Sequence, residues 1–184
     1  MGFHTYPIER ADALRDLSRY RFCSREELLA EIPTGDTVVA DLGSGTGFYA
    51  DEVAPFVQTL IAVDVQRAMH ARYRDHGVPS GVHLLTAAVA SLPFADGTLD
   101  GAYSIMTHHE YATPTAMAEL TRVLSPGAPL VTVDWRADGS GEDGPPVDER
   151  FSLREASDHL EQVGFEVDRS QKRPETFVLV GRAP

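Results

Sequence analysis

The chain has 184 residues and a formal net charge of −12, from 28 acidic against 16 basic residues, and its length is that of one ordinary domain. This balance lacks the cationic surface that a nucleic-acid binder needs, and the single cysteine, Cys23, excludes an intramolecular disulfide and a cysteine-based zinc site. No apolar stretch is long enough to span a bilayer and residues 1–8 lack the regions of a signal peptide, so a cytoplasmic protein without membrane attachment is expected.

Lys172 is the only lysine. An acidic, lysine-poor surface of this kind is halophile-like, since concentrated salt screens its self-repulsion.

Residues 1–35 read as a short helical cap and 36–184 as a nucleotide-binding core, together a single domain over 1–184. In the cap, Ile8, Ala11 and Leu14 share one helical face. Ser24-Arg25-Glu26-Glu27 forms a capping box before Leu28, Leu29 and Ile32, stopped by Pro33. The cap has two readings: a lid that brings Tyr20, Arg21 and Phe22 to a substrate, or an arm that packs against the core.

From residue 37 onward apolar strands alternate with helical patterns, the signature of an α/β fold with a mainly parallel sheet. The first strand covers 37–42 and runs directly into Gly43-Ser44-Gly45-Thr46-Gly47, so strand, tight loop and helix follow one another. A helix over 47–57, a second strand over 59–63 ending at Asp64, and a helix over 66–76 closed by Gly77 come next. A third strand, 82–85, leads into Ala87, Ala88 and Val89. The fourth, 99–106, carries Thr107, His108, His109 and Glu110 to its C-terminal end, the edge at which open α/β sheets hold ligands. Thr113 as N-cap and Pro114 in the first turn start another helix, which Ser125-Pro126-Gly127 ends. The fifth strand, 130–134, has Trp135 at its tip. Residues 136–150 are too long for an ordinary connection and read as a lid or a surface loop. Ser152-Leu153-Arg154-Glu155 is a second capping box whose helix closes at Gly164, and 165–169 with 176–180 read as a terminal antiparallel hairpin.

The glycine loop and two carboxylates bear on the cofactor. Its pattern is G-x-G-x-G, with Phe48 where a dinucleotide fingerprint needs its third glycine, and no Lys-Ser or Lys-Thr follows as a P-loop requires. Asp41 would repel a pyrophosphate but attract a cation. S-adenosylmethionine (SAM) has no phosphate and carries a sulfonium, an ammonium and one carboxylate that a helix N-terminus can hold. Asp64, about 20 residues beyond the first glycine, suits ribose hydroxyls.

Candidate chemistry gathers at the far edge. A histidine of near-neutral pKa can take a proton from an acceptor, which makes His109 and then His108 candidate catalytic residues, with Glu110 orienting the ring. The competing reading is that one of two adjacent histidines points away. Asp134, Trp135, Arg150 and Tyr20 are substrate candidates. Trp135 reads either as stacking on a flat acceptor or as core, and Arg150 either as the partner of an acidic acceptor or as a solvated charge. His4, His70, His76, His83 and His159 read as surface or structural, Met69 and Tyr73 as helix-face core. No metal site is expected, because adjacent ligands such as 108–110 rarely converge without a third side chain from elsewhere.

Five motifs in this order resemble the class I SAM-dependent methyltransferases, in particular the small type 11 group that includes quinone-ring methyltransferases. They are Asp41-Leu42-Gly43-Ser44-Gly45-Thr46-Gly47, Val63-Asp64, Leu92-Pro93-Phe94-Ala95-Asp96-Gly97, Arg122-Val123-Leu124-Ser125-Pro126-Gly127 and the closing hairpin. The similarity covers about 36–164. It implies a Rossmann-like three-layer sandwich with sheet order 3-2-1-4-5-7-6 and strand 7 antiparallel, SAM as cofactor, and methyl transfer to a small-molecule acceptor. Asp41, Gly43 and Gly45, with Ser44 in the same loop, would line the methionine moiety, Asp64 the ribose and Val65 the adenine. Ala88 stands where the family usually has an Asp near the adenine amino group, so Val89 would contribute only backbone polarity and packing. The competing functions are a SAM-binding regulatory module without catalysis, a nicotinamide-dependent oxidoreductase, and an aminopropyl transferase on the same fold.

Overall fold

A computed structural model describes residues 5–184; His4 lies outside the described residues. Seven strands form one sheet: β1 (Gly35–Leu42), β2 (Val57–Asp64), β3 (Val82–Thr86), β4 (Gly101–Ile105), β5 (Pro129–Trp135), β6 (Glu166–Lys172) and β7 (Thr176–Arg182). Their order is β3-β2-β1-β4-β5-β7-β6, with β1 to β5 parallel and β7 antiparallel to both neighbours, as the resemblance implies. β4 and β5 are buried along their whole length, as central strands covered on both faces are, and carry Ser104, Thr132 and Asp134 inside with their apolar residues.

Helices cover both faces. α1 (Arg25–Glu31), α2 (Phe48–Val53) and α3 (Arg67–His76) lie on one side, where Leu28, Phe48, Val53 and Tyr73 meet Val39, Leu60 and Val131. On the other side α5 (Pro114–Val123) and α6 (Leu153–Glu161) bring Met117, Leu120, Ala156 and Leu160 against Leu42, Leu130 and Phe177. The short α4 (His108–Tyr111) lies between β4 and α5. Among the described residues no helix is long and apolar enough to cross a membrane.

Local signals place most boundaries. Thr113 Oγ1 accepts from the Ala116 N–H with Pro114 at the first helical position, and the box at Ser152 is reciprocal, Ser152 and Glu155 each capping the other's backbone. At Ser24 half of the expected box forms: its Oγ accepts from the Glu27 N–H at 3.2 Å, while the Glu27 carboxylate takes Arg169 and Arg173 of the terminal hairpin. The expected helix over 47–57 is shorter, because Pro55 turns it into a single 3₁₀ turn, Ala54–Phe56. The cap opens with two 3₁₀ stretches, Ile8–Arg15 and Leu17–Arg21, before α1.

The order of strands reverses between β1 and β4, so the connections that follow them leave toward opposite faces of the sheet and a crevice lies between them. The cap folds across this crevice. Arg15 donates to the Thr46 carbonyl at 2.7 Å and pairs with Asp51, the Tyr49 hydroxyl donates to the Arg19 and Cys23 carbonyls, and Arg173 holds the Phe22 carbonyl.

Candidate active site

A cavity of about 1060 Å³ opens at the C-terminal ends of β1, β2, β4 and β5, roofed by the cap and by residues 143–146. Its floor is the glycine loop. Gly43, Gly45 and Gly47 all have positive φ, and a Cβ at Gly43 would collide with Thr107, at Gly47 with the Tyr73 ring. The loop amides are consumed within the fold: those of Gly43 and Ser44 donate to the Val63 carbonyl, at 2.8 and 2.9 Å, and that of Gly45 to Asp64 Oδ2 at 2.8 Å. These three amides are therefore not free to hold a ligand's carboxylate. What the loop offers a ligand is a surface free of side chains.

Two carboxylates and one guanidinium surround that surface. Asp64 is buried on the cavity wall; its other oxygen accepts from the Gln66 N–H at 2.7 Å, and each oxygen keeps a lone pair for a further donor. Burial raises its pKa, opposed by those two amides. Burial also pushes the Asp41 carboxyl up to about 8; the nearby Tyr103 hydroxyl and Arg19 oppose the shift and Asp64 adds to it. Arg19, which the sequence reading missed, is largely buried, with its guanidinium 5.6 and 5.4 Å from the ring centres of Phe48 and Tyr49. Its Nε finds no partner among the described residues. Val65 is 55% exposed and lines the same wall as the buried Val89, an apolar surface left uncovered next to Asp64. Ser44 is buried at the floor with its hydroxyl unpartnered among the described residues.

The other end of the cavity is built from β4 and β5. Met106, with φ 63°, turns the chain out of β4, a left-handed conformation that a non-glycine residue adopts at some cost; its N–H is held by the Val133 carbonyl at 2.7 Å. The turn starts α4 and gives the two histidines opposite fates. His109 lines the cavity, and its backbone N–H donates to Asp134 Oδ2 at 2.7 Å while Nδ1 lies 3.0 Å from both carboxylate oxygens. Nε2 lies 4.0 Å from Glu110 Oε1. Burial pulls the His109 pKa down, but the Asp134 charge and hydrogen bond outweigh it and the net shift is upward. Burial raises Glu110 to about 7 against the opposing effect of His109. The residue that orients the ring is thus Asp134, where Glu110 was expected.

His108 does not face the cavity. It is fully buried against the rings of Tyr111, Phe151, His159 and Phe177, neither ring nitrogen has a partner among the described residues, and burial lowers it to about 4. Three substrate candidates are also corrected. Asp134 lies beneath His109 and does not line the cavity. Arg150, 5% exposed, donates to the Asp143 and Pro145 carbonyls with its guanidinium 5.5 Å from the Trp135 ring centre, so it fastens the roof. Tyr20 packs on Phe48 and donates to Glu52 at 2.7 Å, outside the main cavity. Trp135 does line the cavity, edge-on to Phe22 with ring centres 4.8 Å apart. Arg21 joins the two roof segments through Asp143 at 2.7 Å. His70, bonded to Thr86 Oγ1 at 3.0 Å, and the buried Tyr73 are structural; Met69 is buried and also touches the cavity.

Residues 40–132 match the methyltransferase domain family. An O-methyltransferase of Penicillium expansum, cnsE, is 31% identical over 147 residues, covering 70% of this chain and 52% of that protein. A 24-methylenesterol C-methyltransferase of Arabidopsis thaliana is 28% identical over 143 residues, covering 73% and 38%. The chain thus spans about half, or less, of the length of these curated relatives. A SAM-dependent methyltransferase structure from Aquifex aeolicus superimposes with a TM-score of 0.86 at 26% identity, covering 98% of this chain and all of that one. The family match takes in half of the chain, and the chain belongs to the class I SAM-dependent methyltransferases, type 11.

Proposed function

We propose that this chain transfers a methyl group from SAM to a small-molecule acceptor. The observation that carries this reading is the cavity floor: a surface without side chains, bordered by two buried carboxyl groups, which suits a cationic adenosine ligand without phosphate. In this reading Asp64 receives the ribose hydroxyls, Val65 and Val89 cover the adenine, and Asp41 faces the ammonium and sulfonium above Gly43, Ser44 and Gly45. Arg19, whose Nε has no partner among the described residues, takes the ligand's carboxylate, since the Gly43, Ser44 and Gly45 amides are already occupied. Phe48, buried where a dinucleotide site needs glycine, speaks against a nicotinamide cofactor.

Bound SAM supplies a methyl group already activated by the sulfonium. Alignment of the acceptor and exclusion of water are then the task of the chain, and the cap and residues 143–146 are positioned for both. Calorimetric titration with SAM and with its demethylated product, S-adenosylhomocysteine (SAH), tests the reading. Both are expected to bind; absence of binding by both overturns it.

A further inference from the structure

We propose that the acceptor is a neutral, flat molecule bearing a hydroxyl group, a phenol or enol, whose proton His109 Nε2 removes while Asp134 holds the ring as a positioning residue. The proposal rests on the methyl-transfer reading and gives it an acceptor class. Three features of the cavity carry it.

The first is the fixed tautomer. The Asp134 carboxylate accepts at His109 Nδ1 and also at the His109 backbone N–H, so ring and backbone are held by one group. Nδ1 carries the hydrogen and Nε2 keeps its lone pair, on a residue that lines the cavity. Asp134 is itself fixed, since its Oδ1 accepts from the Trp135 N–H at 2.7 Å. Such an arrangement serves an acceptor that must lose a proton and is superfluous for one that arrives as a nucleophile.

The second is charge. His109 is faced by Asp134 from β5, by Glu110 from α4 and by Glu149 from the long loop, with the neutral, buried His108 beside it in sequence; Asp64 bears on Glu110 from β2. An imidazolium formed at His109 is stabilised among these carboxylates, whereas an anionic acceptor brought to the same place is repelled. The raised pKa of His109 agrees with this environment. The third is shape. Phe22, Trp135, Pro145, Pro146, Met106 and Tyr111 give this end apolar and aromatic walls, which suit a flat ring.

The step balances. The acceptor O–H bond breaks and its proton goes to Nε2, an oxygen lone pair forms the new O–CH₃ bond, and the pair of the broken C–S bond stays on sulfur, leaving SAH neutral. The imidazolium then gives its proton to water.

The test uses the full chain with methyl-labelled SAM and four probes on one frame: 4-methylphenol, 4-methylthiophenol, 4-methylaniline and 4-methylbenzoate. Label is expected on the phenol, with a loss of about 100-fold or more in His109→Gln, while SAH affinity, measured separately, stays within about twofold. Nitrogen NMR of the imidazoles without cofactor is expected to show the Nδ1–H tautomer for His109 and a pKa above 6.5, falling by about one unit in Asp134→Asn, which keeps an oxygen for the backbone N–H. The acid limb of the methylation profile should move with it. Preferred labelling of the thiol, amine or carboxylate, no label on the phenol in a protein that binds SAH, or an Nε2–H tautomer overturns the proposal and leaves the methyl-transfer reading intact. Failure to bind SAM and SAH overturns both.

Discussion

The two ends of the cavity are built by different means. The cofactor end, at the tips of β1 and β2, is made of backbone and of residues close in sequence: a glycine loop, the carboxylate of Asp41 two residues before it, and Asp64 reaching back to the Gly45 amide. The acceptor end, at the tips of β4 and β5, is made of side chains 25 or more positions apart, with Asp134 under His109 and Phe22 against Trp135. An end built from a local motif is tied to one ligand, whereas an end built from tertiary contacts is free to change acceptor without altering the sheet.

That contrast predicts where substitutions act. The largest effect lies just outside the cavity. His108 is held neutral to about pH 4 by burial, while the unfolded chain protonates it below about 6.5. Stability is therefore lost on acidification through that window, by on the order of 3 kcal/mol if the full shift is realised. His108→Leu should flatten the dependence of the urea midpoint on pH between 6.5 and 4; an unchanged slope would place the acid sensitivity elsewhere. His109 acts with the opposite sign: its raised pKa contributes stability below about 6.5 that disappears as pH rises through the folded value.

Within the cavity, Asp64→Ala removes two charged hydrogen-bond acceptors and should weaken SAH binding about 10- to 100-fold by calorimetry, without moving the His109 titration. A shift in that titration would show that the two ends are coupled. Arg19→Met should cost SAM about 10-fold and leave 5′-methylthioadenosine, which lacks the carboxylate, nearly unaffected. Equal losses for both ligands would assign Arg19 to packing on Phe48 and Tyr49. The smallest effect is a pH dependence: with Asp41 at about 8 in the free protein, a cation gains its full partner only once the carboxyl ionises. SAM affinity should therefore rise a few-fold from pH 6 to 9, and more than that of SAH, which lacks the sulfonium. A flat profile would mean that Asp41 is already ionised when the ligand arrives.

The elements legible before the structure were those with short-range causes. The capping box at Ser152, the Thr113-Pro114 helix start and the strand-loop-helix at 37–48 each follow from residues within a few positions, and β1, β2 and β5 needed little more than their apolar runs. The cap was less legible, because its 3₁₀ turns are held by distant partners, Arg15 on Thr46 and Arg173 on Phe22.

The sequence by itself determined the strand-loop-helix of the cofactor end and the carboxylate after the second strand, because apolar runs and glycines encode them within about 20 residues, while the order of the sheet followed from the family resemblance. Tertiary structure alone decided the fate of two identical neighbours. Successive residues of a helical turn point about 100° apart, so once Met106 fixes how α4 leaves β4, His109 comes over Asp134 and the cavity while His108 is sealed among aromatic rings. Arg19 and Arg150 belong to the same class: a guanidinium reads alike anywhere in a sequence, and burial and partners decided that one lines the cavity and the other fastens its roof.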